Sequence, residues 1–179
     1  PSIGGDADIA QYLPVLPGIV STGDQGGQIY IRGGAPIQNK IMIDGMTIFN
    51  PFHSIGIFSV FETEAIKTID VNSAGFNVEH GGRVSAVVDI KTKEGNKKRI
   101  SGVVGVSPFN AKAVLEGPIV PLKEDKAFSA SYLLSFKKSL LEKTSKTLYS
   151  YANEDGLPFA FTDYYGKLNF SLDNGSKID

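Results

Sequence analysis

The apolar positions of this chain follow two rhythms. As far as residues 94–96 they come in short, interrupted groups, and after Lys97 they come in longer alternating runs. In the first part Ile9, Ala10 and Leu13 share one face of a short helix, which Asp6 can cap and Pro14, Pro17 and Gly18 end. A polar, Gly-rich loop over residues 21–27 leads to a strand at 28–32, with Ile29 and Ile31 on one face, broken by Gly33-Gly34-Ala35-Pro36. Strands at 40–43 and 46–48 flank Asp44-Gly45, a pair suited to a tight hairpin because glycine tolerates positive φ. Residues 50–58 are aromatic and contain Pro51 and Gly56, which predicts a loop, and 59–65 predicts a short helix. A β-rich run at 66–71, a turn region at 75–83 and a strand at 84–91 complete this part, the last with Val84, Ala86, Val88 and Ile90 on one face.

Beyond Lys97, residues 100–106 alternate weakly, and 111–116 set Ala111, Ala113 and Leu115 against Lys112, Val114 and Glu116. The pattern is clearest at 128–137, where Phe128, Ala130, Tyr132, Leu134 and Phe136 oppose Ser129, Ser131, Leu133, Ser135 and Lys137. It recurs at 164–173, with Tyr164, Gly166, Leu168, Phe170 and Leu172 against Tyr165, Lys167, Asn169, Ser171 and Asp173. Runs of about ten residues with one apolar and one polar face are the signature of transmembrane barrel strands. Half-buried strands of a soluble sandwich satisfy the same periodicity. Two details lean toward a barrel. The opposite face is small and polar, as a crowded lumen requires, and Phe128, Phe136 and Tyr164 stand at run ends, where a membrane interface holds aromatics. Residues 139–157, polar and Tyr-bearing, read as a long outer loop between two such strands.

Composition removes other classes. The 179 residues include 20 Gly and 9 Pro, which implies many turns, while a hydrophobic share of 41% can bury a core. There is no Cys, so a disulfide scaffold, a zinc ribbon and a thiol nucleophile are excluded. Two His, His53 and His80, supply poor material for acid–base or metal chemistry, and no enzyme is expected. The net charge of −1 covers an asymmetry: residues 1–90 hold four Lys/Arg against nine Asp/Glu, and 91–179 hold fourteen against ten. Neither half has the coherent basic face of a nucleic-acid binder. No apolar run approaches the roughly 18 residues of a membrane helix. The chain reads as a fragment cut at both ends, its address label lying upstream.

Four short stretches carry the candidate chemistry. Ile29-Tyr30-Ile31-Arg32-Gly33-Gly34 ends a strand in an Arg, either an exposed turn residue or a guanidinium fork held for a distant carboxylate. Ile43-Asp44-Gly45 is a structural turn, with no His or Lys fixed near Asp44 in sequence. Glu79-His80-Gly81-Gly82-Arg83 lacks the Lys-Ser/Thr and following helix of a phosphate loop, and His80 has no partner ligands at metal spacing. Asn50-Pro51-Phe52-His53 is an aromatic loop, either tucked into a core or displayed for binding.

In order, Leu-Pro-Gly, Ile-Arg-Gly-Gly, Ile-Asp-Gly, Ile-Lys-Thr-Ile-Asp-Val and Gly-Gly-Arg-Val-Ser-Ala-Val-Val-Asp-Ile resemble the plug domain of TonB-dependent outer-membrane receptors, from about residue 6 to 93. Leu115-Glu116-Gly117-Pro118-Ile119 resembles the second-strand region of the barrel around such a plug. Asn50-Pro51-Phe52-His53 and Phe58-Ser59 look most like the versions found in Bacteroidetes. The resemblance implies an α+β fold: a small mixed plug domain with short helices and strands over residues 1–97, then, over 98–179, the first roughly four antiparallel amphipathic strands of a truncated transmembrane β-barrel. It implies an outer-membrane transporter for active nutrient uptake, gated by its plug. The alternatives are a soluble interaction module and a plug-like adaptor of an assembly or secretion complex. By the same resemblance Arg32, Arg83 and Glu79 make plug–barrel contacts. The outward loops offer Gln38, Asn39, Asn50, Phe52 and His53 to the substrate, and Gly33, Gly34, Asp44, Gly45, Gly81 and Gly82 form structural turns. The implied partners are TonB, acting through a segment before Pro1, outer-membrane lipids, an unidentified nutrient and, at family level, a surface lipoprotein. No metal, cofactor or nucleic acid is implied.

Overall fold

The computed structural model describes residues 8–22, 28–53, 58–73, 75, 80–122, 128–148, 159–172 and 176–178. The chain divides into two units, Pro1–Thr92 and Lys93–Asp179.

The first unit opens with α1 (Ile9–Tyr12), whose Ile9 is buried together with Leu13 just beyond it. Asp8 is its cap: the carboxylate accepts from the Ala10 amide at 2.9 Å and from the Ser59 amide at 3.0 Å. The residue expected in that role, Asp6, lies outside the described residues. Strands β1 (Ile19–Thr22) and β2 (Gln28–Ile31) pair antiparallel. β3 (Asn39–Ile43) and β4 (Met46–Thr47) form the expected hairpin. Asp44 (φ 46°) and Gly45 (φ 81°) both lie in the left-handed region that a two-residue turn of this kind requires. The Asp44 carboxylate also accepts from the Thr92 amide at 3.0 Å and the Thr92 hydroxyl at 2.5 Å, which pins the turn to the end of a neighbouring strand.

Residues 50–58, expected as a plain loop, contain a short antiparallel pair, β5 (Phe52–His53) and β6 (Phe58–Ser59). The helix expected at 59–65 is only a 3-10 turn, Thr63–Ala65. The Ser59 amide is already engaged by Asp8, and the Ala65 amide closes back on the Glu62 carbonyl at 3.0 Å, too short a loop for an α-turn. β7 (Ile66–Asn72) and β8 (Ala86–Thr92) complete a mixed sheet in the order β4-β3-β8-β7, with β3 parallel and β7 antiparallel to β8. β8 starts later than its alternation predicts. Val84 is exposed ahead of it, and Ala86, Val87, Val88 and Ile90 are all buried. Its second face is apolar at Val87 and turns polar toward the strand's end, where Asp89 is half-buried and Lys91 exposed.

The second unit is an antiparallel meander of β9 (Ser101–Val106), β10 (Asn110–Val120), β11 (Phe128–Ser139), β12 (Thr162–Leu172) and β13 (Lys177–Ile178). Pro118, which cannot donate to a ladder, sits where the β10–β11 register shifts. The faces of this sheet are reversed relative to a water-soluble one. On β11 the serines Ser129, Ser131, Ser135 and Ser139 and Lys137 are buried, while Phe128 and Leu134 are exposed. On β12 Asn169 is fully buried, while Tyr164 (79% exposed), Leu168, Phe170 and Leu172 face out. Aromatic pairs mark the two ends of the apolar face: Phe136 with Tyr164 at 5.2 Å and Phe128 with Phe170, stacked at 6.1 Å. Phe128 and Phe136 are about 27 Å apart at the usual strand rise.

Between β11 and β12, where a loop is expected, lies α2 (Leu141–Leu148). Leu141 and Ser145 lie on its buried side and Glu142, Lys143 and Lys146 on its exposed side, so the segment is a short amphipathic helix. It is held to the β9–β10 turn by the Thr144 hydroxyl donating to the Pro108 carbonyl at 2.6 Å, with the Leu140 amide on the Phe109 carbonyl at 2.8 Å just before it.

Candidate functional site

The parallel pairing of β3 with β8 sets Asn39 opposite Ala86. That register carries Arg83, shortly before β8, to the 3-10 turn Pro36–Gln38 that precedes β3, and the guanidinium donates to the Ile37 carbonyl. A cleft of about 430 Å³ opens there. It is lined by β2 (Gln28, Ile29), by Ile37 and Asn39, by the chain leaving β4 (Thr47, Ile48, Phe49) and by Asn50, Phe52 and Arg83. Phe49 (85% exposed) and Ile37 (76% exposed) contribute large apolar surface, Phe52 is buried, and among the described residues Arg83 is the one charged lining residue.

Asn39 is 8% exposed and its side-chain amide donates to the Ile29 carbonyl at 2.7 Å, splicing β2 to the start of β3. That bond fixes which way the amide points. Its other end, Oδ1, is buried with no partner among the described residues. Such a group ordinarily costs about 1–3 kcal/mol.

Of the residues singled out by sequence, the cleft brings together Asn39, Asn50, Phe52 and Arg83. Gln38 lies behind it as a turn builder, its side chain accepting from the Ala35 amide at 2.9 Å and its carbonyl from the Ser85 amide at 3.2 Å. His53 is half-buried in the β5–β6 pair, away from the lining. Arg32 is exposed at φ 47°, its amide bonded to the Gly18 carbonyl at 2.8 Å, and is also away from the cleft. Glu79 lies outside the described residues. Gly33 and Gly82 have positive φ, and Gly81 is an exposed turn residue. Gly34 is required by proximity: a Cβ there would lie 2.0 Å from the Ser85 hydroxyl oxygen, which donates to the Ile31 carbonyl at 2.8 Å.

Sequence reasoning passed over Gln28, Thr47 and Phe49, while Ile37 falls within the outward loop at 35–39. Phe49, an aromatic beside a motif already chosen, was the one available signal. The lining can bind an amphipathic group through a cation, amides and apolar walls. Among the described residues no cluster of His, Cys, Asp and Glu is arranged to hold a metal, and no helix is long and apolar enough to cross a membrane, which leaves strands untouched by that test.

Residues 3–88 match the family model described as TonB-dependent Receptor Plug Domain. That stretch is therefore a plug domain of the TonB-dependent receptors. Among solved structures, the ferric citrate transporter FecA in its unliganded form is similar, at 19% identity and a TM-score of 0.49. The likeness covers 76% of this chain and 23% of that one. No curated protein matches the chain.

Proposed function

We propose that this chain is the plug and the opening wall strands of an outer-membrane transporter for active nutrient uptake. The first unit closes the pore, and TonB opens it by drawing on a segment upstream of Pro1. A wide barrel is an aqueous channel unless something fills it, so a folded domain must do the closing. The observation that carries the reading is the reversed sheet that follows a plug domain. Its apolar face is exposed, its buried face is serine-rich, and an aromatic pair stands at each end. Tilted as barrel strands are, that separation of about 27 Å spans roughly 19–22 Å along the membrane normal, most of an apolar band roughly 25 Å tall. The cleft at Asn39, Asn50, Phe52 and Arg83 is the proposed contact for the nutrient, and Gln38 and His53 are neighbours that shape its loops.

Arg32, and Arg83 with any guanidinium donors left over from Ile37, are the proposed partners for barrel carboxylates that lock the plug. Glu79 belongs to the same proposal. The test expresses the full-length receptor and follows its membrane fraction and the entry of a large antibiotic that intact outer membranes exclude. The expected result is outer-membrane residence and a rise in antibiotic entry in Arg32→Ala or Arg83→Ala. A receptor found only in the aqueous fraction, or variants with an unchanged barrier and normal uptake, would overturn the reading.

A further inference from the structure

The chain that leaves the plug is fastened to the second unit before that unit's first strand begins. The Ser131 hydroxyl of β11 donates to the Glu94 carbonyl at 2.6 Å. Lys97 Nζ bridges the Glu94 carboxylate at 2.8 Å and the Ser171 hydroxyl of β12 at 2.7 Å. Lys177 of β13 reaches the other Glu94 oxygen at 2.7 Å. The Leu122 amide, just past β10, donates to the Lys97 carbonyl at 3.0 Å, and the Asn96 side chain accepts from the Lys98 and Arg99 amides at 3.0 and 3.1 Å. One short segment is thus tied to four successive strands or their ends.

Gly95 makes the approach close enough. It sits at φ 81°, and a Cβ there would lie 2.4 Å from the Tyr132 carbonyl oxygen, a backbone atom that cannot swing aside. The charges are matched to the role. The Lys177 and Lys97 bonds hold the Glu94 carboxyl down to about 2, against the opposing effect of burial, so it stays ionised. All these contacts fall at one end of the sheet, where β10 closes, β11 opens and β12 closes, and α2 is at the other.

We propose that residues 94–97 are a fixed anchor, which stays fastened to the wall while the plug is remodelled, so that load applied at the amino end frees chain only as far as Thr92. This rests on the transport reading, because it assigns the anchor a task only when something pulls. A tether free to slide would let the plug leave whole; an anchored one makes any opening a rearrangement upstream of Glu94.

The test is amide hydrogen exchange in the full-length receptor in lipid vesicles, with and without the periplasmic domain of TonB. The expected result is that the Lys98, Arg99 and Leu122 amides stay protected while those of β7 and β8 exchange faster under load. Loss of protection at those three amides together with β8 would overturn the anchor. A second arm compares Lys97→Met/Lys177→Met with the parent at rest. Exchange at the three amides faster by about 5- to 10-fold, with β11 unchanged, supports the anchor, and equal rates overturn it. A plug that never responds to TonB speaks against the transport reading, and the second arm still decides the anchor.

Discussion

The middle strands of the two sheets, β8 and β11, are both alternating and both well paired, yet they bury opposite kinds of side chain. β8 hides Ala86, Val87, Val88 and Ile90. β11 hides Ser129, Ser131, Ser135 and Lys137, with Leu133 as the one large apolar side chain buried among them, and turns Phe128 and Leu134 outward. In water the second arrangement is unfavourable by about 25 cal/mol for each Å² of apolar surface left wet. It becomes favourable where the outside is itself apolar. Alternation therefore identifies a strand and says nothing about which solvent lies on which side. That information resides in the polar residues: a row of short serines with a single lysine can be enclosed, whereas the full row of long charged side chains on a soluble sheet face needs water.

The largest expected effect tests the ordinary half of this contrast. Ile90→Ala in β8 removes a fully buried side chain between β3 and β7. The expected loss is about 2–5 kcal/mol, read as increased protease cutting within the plug of the full-length protein and a lower denaturant midpoint. The second prediction tests the reversed half. Leu134 is half exposed near the middle of β11. If its face meets lipid, Leu134→Arg lowers stability in vesicles by about 2–4 kcal/mol. On a water-facing sheet the same change stays within about 0.5 kcal/mol, and that outcome would remove the basis for a barrel.

The two units were also unequally legible. The faces of β11 and β12 could be read for most residues, because a single rhythm persists for about ten positions and each strand pairs with its sequence neighbour, although Ala130 of the apolar face is buried. The strand at β8, the hairpin at Asp44-Gly45 and the order of plug motifs were equally plain. The cleft was not. It depends on a parallel pairing across more than forty residues that delivers Arg83 to Ile37, and no local pattern encodes that register. Two-residue strands such as β5 and β6 are too short for periodicity to show, whereas α2 does separate Leu141 and Ser145 from Glu142, Lys143 and Lys146 at helical spacing, a two-turn signal easily lost in a stretch that is polar overall. The cap at Asp8 shows a related limit. Asp8 serves both the helix and the distant Ser59 amide, and the second bond is invisible in sequence.

A smaller effect is expected where two plug segments meet at Gly34. Gly34→Ala forces a methyl onto the Ser85 side chain, whose hydroxyl is held by the Ile31 carbonyl and cannot rotate away freely. Overpacking of this kind costs about 1–3 kcal/mol. Ser85→Gly should restore part of the loss in the double variant, because both the oxygen and the Cβ that the new methyl meets are removed. Full additivity of the two substitutions in a denaturant series would mean that the contact is relieved by backbone movement instead.

The smallest expected change is an absence of change over the ordinary pH range. The Glu94 carboxyl is held down to about 2 by Lys177 and Lys97, from an ordinary value of 4.5. A lowered folded-state value means stabilisation that is fully present above 4.5 and is lost as pH falls through about 2, where the carboxylate takes up its proton and both lysines lose their partner. Once differences in intrinsic exchange rate are removed, protection at Lys98 and Leu122 should therefore be flat from pH 8 to about 5 and decline only in stronger acid. Glu94→Gln should abolish that acid step and lower protection across the whole range, since the amide keeps the shape and loses the charge. A decline beginning near neutrality would assign the fastening to some group other than Glu94. The contrast with the apolar interior of β8 would then rest on the sheet faces alone.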